Sequence, residues 1–496
     1  MQRSNLTADD AGQPGARPAG TTWGEEIKAD LCIIGGGSGG LSLAASTVQL
    51  GMKVVLIEKH KMGGDCLNYG CVPSKAMIAA GRRAHLMRTS APFGITPVEP
   101  QIDPRRVHDH VKSVIAAIAP NDSVERFTGL GVQVIQAAAR FYDKSSVIAG
   151  DKLIRAARFC IATGSSPAVP PIPGLDQVPY FTNETIFDNQ RQLGSLIVIG
   201  GGPIGMELAQ AHARLGVQVT VLEGLKPLGK DDPELAEVVL KKLAAEGIAI
   251  REGAKVERVE GRVGALRVTI ATAAGSEVVE GTHLLVATGR KPNLGDLNLE
   301  AAGIKFDRRG IQVSSGLVTS NAKVFAIGDV TGGLQFTHMA NYHAGIVLRR
   351  LLTRFPFKVR DDHVPWVTYT DPELANVGLT EDEAKKRHGA IKVYRWPFHE
   401  NDRAQAERVT EGFVKVITDK RDRIVGAAMV GEHAGELIQM WSLAISQGLK
   451  IQAMTQWISP YPTLSEVNKR AALRYYAGKA GSPMVRKLVS IMRKLG

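Results

Sequence analysis

The feature that most constrains this chain is a unit that occurs twice. Leu31-Cys32-Ile33-Ile34 is a short apolar strand, followed by Gly35-Gly36-Gly37-Ser38-Gly39-Gly40, a helix to about residue 50, and a second strand over 53–57 that ends at Glu58. The pattern returns as a strand over 195–199, the turn Gly200-Gly201-Gly202-Pro203-Ile204-Gly205, a helix to about residue 215, and a strand over 218–222 leading to Glu223. In each copy the acid stands 18 residues after the last glycine. A glycine at each of the three fingerprint positions permits a tight turn, close approach of a pyrophosphate and close helix–strand packing. The acid at the end of the second strand can accept from a ribose hydroxyl. One such turn is a common accident, whereas two at identical spacing with matched strands predict two dinucleotide sites. The expected fold class is therefore α/β, with two Rossmann-like dinucleotide-binding domains.

A chain of 496 residues has room for two to four domains, and 53 glycines with 44% apolar content suit an α/β protein with many turns. The first 28 residues are polar and Gly/Pro-rich without an apolar run, which predicts a disordered tail and no signal peptide. No stretch of about 18 apolar residues is present to span a bilayer, and a cytoplasmic location is expected. Net charge is +12, but eight Lys/Arg and no acid lie from Val467 to Gly496, leaving +4 for the rest. The basicity belongs to the tail, and no nucleic-acid partner is expected.

Four cysteines argue against a structural disulfide framework. Two of them fall in Gly63-Gly64-Asp65-Cys66-Leu67-Asn68-Tyr69-Gly70-Cys71-Val72-Pro73-Ser74-Lys75, just beyond the first dinucleotide unit. A partial zinc site would need two further ligands. Cys32 and Cys160 lie in apolar, strand-like runs without ligand spacing, and no metal site is expected. Ala162-Thr163-Gly164-Ser165-Ser166-Pro167, Ala287-Thr288-Gly289-Arg290-Lys291-Pro292-Asn293 and the run T-S-N-A-K-V-F-A-I-G-D ending at Asp329 complete the pattern. With the cysteine segment, these motifs resemble the flavoprotein disulfide reductases, the group that includes lipoamide dehydrogenase, glutathione reductase and mercuric reductase. The resemblance runs from about residue 30 to about residue 476.

The resemblance implies FAD in the first site, at Gly35, Gly37, Gly40, Glu58, Gly64, Lys75, Thr163, Gly164, Asp329 and His338. It implies a nicotinamide nucleotide in the second, at Gly200, Gly202, Gly205 and Glu223, with Gly289 and Arg290 as further cofactor-binding residues in the crossing between the two domains. Glu223 would repel a 2′-phosphate, so NADH is favoured, with Lys226 as a cation that would offset the effect. The implied chemistry is a Cys66–Cys71 disulfide, reduced through the flavin, with Cys71 on the flavin side and Cys66 as the attacking thiol. A five-residue offset on an ideal helix is ~7.5 Å of rise, beyond the usual Cα separation of ~4.4–6.8 Å for a disulfide. The turn must therefore be distorted, and Gly70 is expected to supply the backbone freedom. A thiol at a helix start beside Lys75 is expected to have a lowered pKa. The family pairs this lysine with a glutamate matching Glu207.

The implied domain order is a tail over 1–29, an FAD-binding domain over 30–167 and 288–360, a nicotinamide domain over 168–287, an α+β dimerisation domain over 361–480 and a basic amphipathic tail over 481–496. Within the third of these, Ala434 to Gln447 reads as one apolar-faced helix. A homodimer with an active site shared across the interface is expected. Where lipoamide dehydrogenases and glutathione reductases carry His-Pro-Thr-x-x-Glu, this chain reads Tyr461-Pro462-Thr463-Leu464-Ser465-Glu466. The phenol, of pKa ~10, is a poor base near neutrality beside an imidazole of ~6.5.

His399-Glu400-Asn401-Asp402-Arg403-Ala404 and Phe336-Thr337-His338 resemble the mercuric-reductase-like branch, though the vicinal C-terminal cysteines and N-terminal metal-binding domain of dedicated mercury enzymes are absent. Asp65 stands where the lipoamide branch usually has threonine. The expected activity is NAD(P)H-driven reduction of a disulfide, a metal ion or another electrophile. Its rivals are dihydrolipoamide dehydrogenase running toward NADH, a flavin-bearing interaction protein, and a membrane quinone reductase. From Pro483 onward, apolar residues alternate with the basic pairs Arg486/Lys487 and Arg493/Lys494. That pattern fits a helix on an anionic membrane surface or one docked on the protein.

Overall fold

The computed structural model describes residues 24–480 and 482–495. It divides into two compact units: the first holds 1–71, 115–166 and 290–359, the second 72–114, 167–289 and 360–496. The nicotinamide and dimerisation segments thus share one unit. The stretch 72–114, expected in the FAD domain, also belongs to the second unit.

Among the described residues the first unit carries a seven-stranded sheet. Its parallel core runs Gln133–Gln136, Val54–Glu58, Glu25–Ile34, Lys152–Ile161, and Val324–Ala326 also pairs with Lys152–Ile161. Antiparallel Ser146–Ala149 and Ala139–Asp143 extend the far edge. Leu31, Cys32 and Ile33 are fully buried, as a strand covered on both faces requires. The first strand begins at Glu25, earlier than the tail expected over 1–29 allows. Glu25 and Glu26 pair in register with Lys152 and Leu153, and their carboxylates meet Lys152 and Arg155, so charge as well as backbone pairing ties the start down. The remainder of that expected tail, 1–23, lies outside the described residues.

In the second unit Ala249–Glu252, Gln218–Glu223, Ser195–Ile199 and His283–Val286 form a four-stranded parallel sheet. An antiparallel three-stranded sheet, Lys255–Arg262, Ala265–Thr272 and Gly275–Gly281, adjoins it in sequence. The C-terminal part is a five-stranded antiparallel sheet in the order Pro365–Thr368, Glu373–Gly378, Ile424–Gly431, Phe413–Asp419, Ile391–Pro397. Its core is built around fully buried Trp441, whose indole N–H donates to Asn468 at 2.7 Å. The expected helix from Ala434 to Gln447 is two pieces, Ala434–Leu437 and Gln439–Ser446, with Trp441 driven into the core from the second. Buried Lys415 is held by Asp232, Glu234 and Glu381, which satisfies a cation that would be costly to bury alone.

Candidate active site

Both glycine turns are built alike. Gly35 and Gly200 each have φ +113, and a Cβ there would strike the carbonyl of Ala162 at 2.3 Å or of Ala287 at 2.4 Å. A Cβ on Gly40 or Gly205 would meet the oxygen of Gly35 at 1.9 Å or of Gly200 at 2.0 Å. These glycines answer to the protein's own packing. The middle ones do not: Gly37 and Gly202 have ordinary extended backbones, at φ −86 and −77, and a Cβ on Gly202 would meet nothing within 4 Å. On Gly37 it would meet only the Cα of Gly64, at 3.8 Å. The space they leave at a helix N-terminus is where a pyrophosphate fits, since the amides there point outward and favour negative charge. The acids match as well. Glu58 accepts from Gly36 N at 2.6 Å and His60 N at 2.7 Å; Glu223 accepts from Gly201 N at 2.7 Å and Leu225 N at 2.8 Å. Each carboxylate is locked at the strand end with lone pairs left for a ribose, so the residues present fit a dinucleotide at both places.

The cysteine segment is two helices, Gly64–Asn68 in the first unit and Cys71–Arg88, which from Val72 on belongs to the second, separated at Tyr69, whose φ −141 and ψ −8 are non-helical. This break, not a strained Gly70, brings the cysteines together. Gly70 is outside the left-handed region, contrary to expectation, and serves by lacking a Cβ: one placed there would lie 2.7 Å from Asp65 Oδ2 and 3.1 Å from the Asp65 carbonyl. Cys71 Sγ lies 3.4 Å from Thr337 Oγ1, at the start of the helix Thr337–Thr353.

The Cys66 thiol is pushed up. The largest cause is its hydrogen bond with Cys71, followed by burial and the charge a Cys71 thiolate would present. Bonds to Thr337 and Ser38 pull it down by less.

Asp65 is tied to Arg290, Ser165 and Asp329. Arg290, only 11% exposed in its side chain, reaches Asp65 Oδ1 at 3.1 Å and donates to Ser165 Oγ and to the Ser165 carbonyl, both at 2.8 Å. Ser165 Oγ in turn donates to Asp329 Oδ2 at 2.6 Å. Burial raises the Asp329 pKa, opposed by Ser165 and Arg290. Arg290, a residue of the crossing between the two domains, lies in the first unit with Asp65 and Asp329. Thr163 Oγ1 donates to the Asn293 carbonyl at 2.9 Å, and Gly164 takes φ +67 at this crossing. Gly289 takes φ +129 at the corresponding crossing after the second dinucleotide unit. His338 is exposed and stacks on Phe336, with centroids 5.2 Å apart and planes 8° from parallel.

In the second unit Lys75 Nζ donates to Glu207 Oε2 at 2.7 Å and lies 4.2 Å over the Tyr369 ring. Buried Glu207 also accepts from Tyr369 N at 2.9 Å, so each of its oxygens has a donor. Tyr461 is 69% exposed. Its hydroxyl donates to Asp402 Oδ2 at 2.7 Å, and that bond with the nearby carboxylate charge raises its pKa above the usual phenol value. Glu466 pairs with Arg470 one turn along its own helix, at 2.9 Å. Ser38, Thr337, Ser165, Tyr369 and Asp402 were not picked out from sequence as site residues. Thr337 and Asp402 stood inside the two branch motifs, which was the signal available.

Residues 29–344 match the family described as pyridine nucleotide-disulphide oxidoreductase, and residues 364–472 match its dimerisation domain. The chain is 36% identical to a mercuric reductase of Lysinibacillus sphaericus over 90% of its own length and 82% of that protein's. It is 35% identical to a dihydrolipoyl dehydrogenase of Thermus scotoductus over 89% and 96%. Among solved structures, LpdA from Mycobacterium tuberculosis superposes with a TM-score of 0.83 at 27% identity, covering 90% of this chain and 99% of that one. The Cu(II) complex of the HOCl-induced flavoprotein disulfide reductase RclA from Escherichia coli gives 0.79 at 28%, covering 89% and 98%. The chain belongs to the pyridine nucleotide-disulphide oxidoreductase family. It is an FAD-dependent oxidoreductase that uses pyridine nucleotides, and the dimerisation domain supports a homodimer.

Proposed function

We propose that the protein is an NADH-driven reductase of a disulfide, metal ion or similar electrophile, working through Cys66 and Cys71. For a disulfide acceptor, NADH and a proton yield NAD⁺ and two thiols, the enzyme's disulfide opening and closing once per turn. Bound FAD supplies the hydride acceptor that lets a two-electron donor reduce a disulfide. The chain's own residues do the rest. Gly37 and Gly202 leave room for the two pyrophosphates, and Glu58 and Glu223 accept from the riboses. Lys75, fixed by Glu207 and Tyr369, supplies a cation one helical turn after Cys71. Thr337 holds the Cys71 sulfur, and the Asp65–Arg290–Ser165–Asp329 chain fixes the segment that carries Cys66.

The observation that favours reduction over dithiol oxidation is Tyr461. Its phenol is engaged by Asp402, with its pKa raised, where a lipoamide dehydrogenase needs a base contributed across the dimer interface. Glu223, already fixed by two amides, supports NADH over NADPH through repulsion of a 2′-phosphate. RclA from Escherichia coli, solved as a Cu(II) complex, makes Cu(II) an acceptor to include beside Hg(II) and small disulfides. The test is a steady-state screen of these acceptors with NADH and NADPH, run beside dihydrolipoamide with NAD⁺. Faster turnover with dihydrolipoamide than with every acceptor would refute the proposal.

A further inference from the structure

The helix Pro483–Met492 has no part in the redox site. Ser482 caps it, accepting from Val485 N at 3.3 Å, and Pro483 occupies its first turn. At 100° per residue Met484, Leu488, Ile491 and Leu495 fall in one row, with Val485, Val489 and Met492 beside it. Arg486, Lys487, Ser490, Arg493 and Lys494 take the opposite arc. The apolar row faces water: Met484 is 81% exposed, Leu488 58%, Ile491 47% and Leu495 77%. From 482 to 495 no described residue is buried.

A helix this short is marginal in water by itself, and among the described residues its apolar row is largely exposed. The charge pattern decides what covers it. Eight Lys/Arg and no acid lie from Val467 onward. Pairing with the same helix of a second copy would set four cations against four. An anionic lipid surface instead takes the apolar row at headgroup depth and places the flanking cations on phosphates. Among the described residues no helix is long and apolar enough to cross a membrane, so the contact is peripheral.

We propose that this C-terminal helix docks the enzyme on an anionic lipid surface, with Met484, Leu488, Ile491 and Leu495 inserted and Arg486, Lys487, Arg493 and Lys494 on lipid phosphates. The test is co-sedimentation of the FAD-loaded, full-length protein with vesicles of phosphatidylcholine alone or with about 30 mol% phosphatidylglycerol, the anionic fraction expected to tighten binding roughly tenfold or more. Leu488→Asp/Ile491→Asp and Arg486→Glu/Lys487→Glu should each abolish most of that binding. Both pairs are exposed and remote from the cysteine segment in sequence, so NADH turnover should stay unchanged and serves as the folding control. Equal binding to neutral and anionic vesicles would overturn the proposal. So would binding that survives either pair of substitutions, or sedimentation without vesicles, which would point to self-association.

Discussion

Replacing Tyr461 by histidine tests whether the missing base determines the direction of catalysis. Near pH 7 a phenol of pKa ~10 offers about one molecule in a thousand as base, whereas an imidazole of ~6.5 is mostly neutral. Asp402, 2.7 Å from the Tyr461 hydroxyl, widens that gap by raising the phenol further. General-base catalysis contributes ~10²–10⁴-fold. The same carboxylate would hold a proton on a histidine placed there, so the full gain is withheld near neutrality and released as pH rises. Tyr461→His should therefore raise dihydrolipoamide:NAD⁺ activity by at least about tenfold near pH 8 and by less near pH 6, the range over which an imidazole pKa raised by a carboxylate would titrate. Adding Asp402→Asn should move the midpoint of that rise to lower pH. NADH-driven reduction of small electrophiles should change little. Stopped-time assays of both directions across this pH range check the prediction. The reasoning is refuted if the unmodified enzyme already oxidises dihydrolipoamide at ~10–10³ s⁻¹, the range of typical enzymes, or if a folded, FAD-loaded Tyr461→His gains nothing.

Gly202→Ala places a methyl where no protein atom lies within 4 Å, on a backbone any residue adopts, so thermal stability should hold while KM for NADH rises and FAD content stays constant. Gly70→Ala should do the reverse of a silent change. Its Cβ would press on Asp65 Oδ2 at 2.7 Å, displacing the carboxylate from Arg290, and NADH-dependent reduction of a disulfide should fall while FAD remains bound. Glu381 is held at a pKa of about 2 by hydrogen bonds from Lys385 and Lys415. A folded-state pKa below the unfolded value stabilises fully above about pH 4.5 and is lost as pH falls through about 2. Denaturation midpoints of Glu381→Gln should then lie below those of the parent near neutrality and converge with them in acid.

The two dinucleotide units were legible because their glycines answer to local geometry. Gly35, Gly40, Gly200 and Gly205 are demanded by carbonyls a few residues away or on the adjoining strand, and spacing alone reveals them. The Lys75–Glu207 pairing came from resemblance, since nothing local links residues 132 apart. What sequence did not show depends on contacts between distant segments or on exact backbone angles. Arg290 reads as part of the crossing between the two domains, yet its guanidinium turns to Asp65 and Ser165. Gly70 suggested a left-handed turn, but the break falls at Tyr69 and the glycine makes way for a carboxylate. The Glu466–Arg470 pair, one turn apart on the helix Glu466–Ala480, is a local pairing that the motif alone did not point to.

The central claim is that electrons from the nicotinamide pass to the Cys66–Cys71 pair, with Cys71 against the flavin. Anaerobic titration of the FAD-loaded enzyme with NADH, followed by absorption, tests it most directly. Two-electron reduction of the parent should give a long-wavelength charge-transfer band; Cys66→Ser, with no disulfide to open, should show that band before any reduction, and Cys71→Ser should not show it. A band that survives Cys71→Ser, or a parent enzyme that bleaches its flavin without one, would contradict the account.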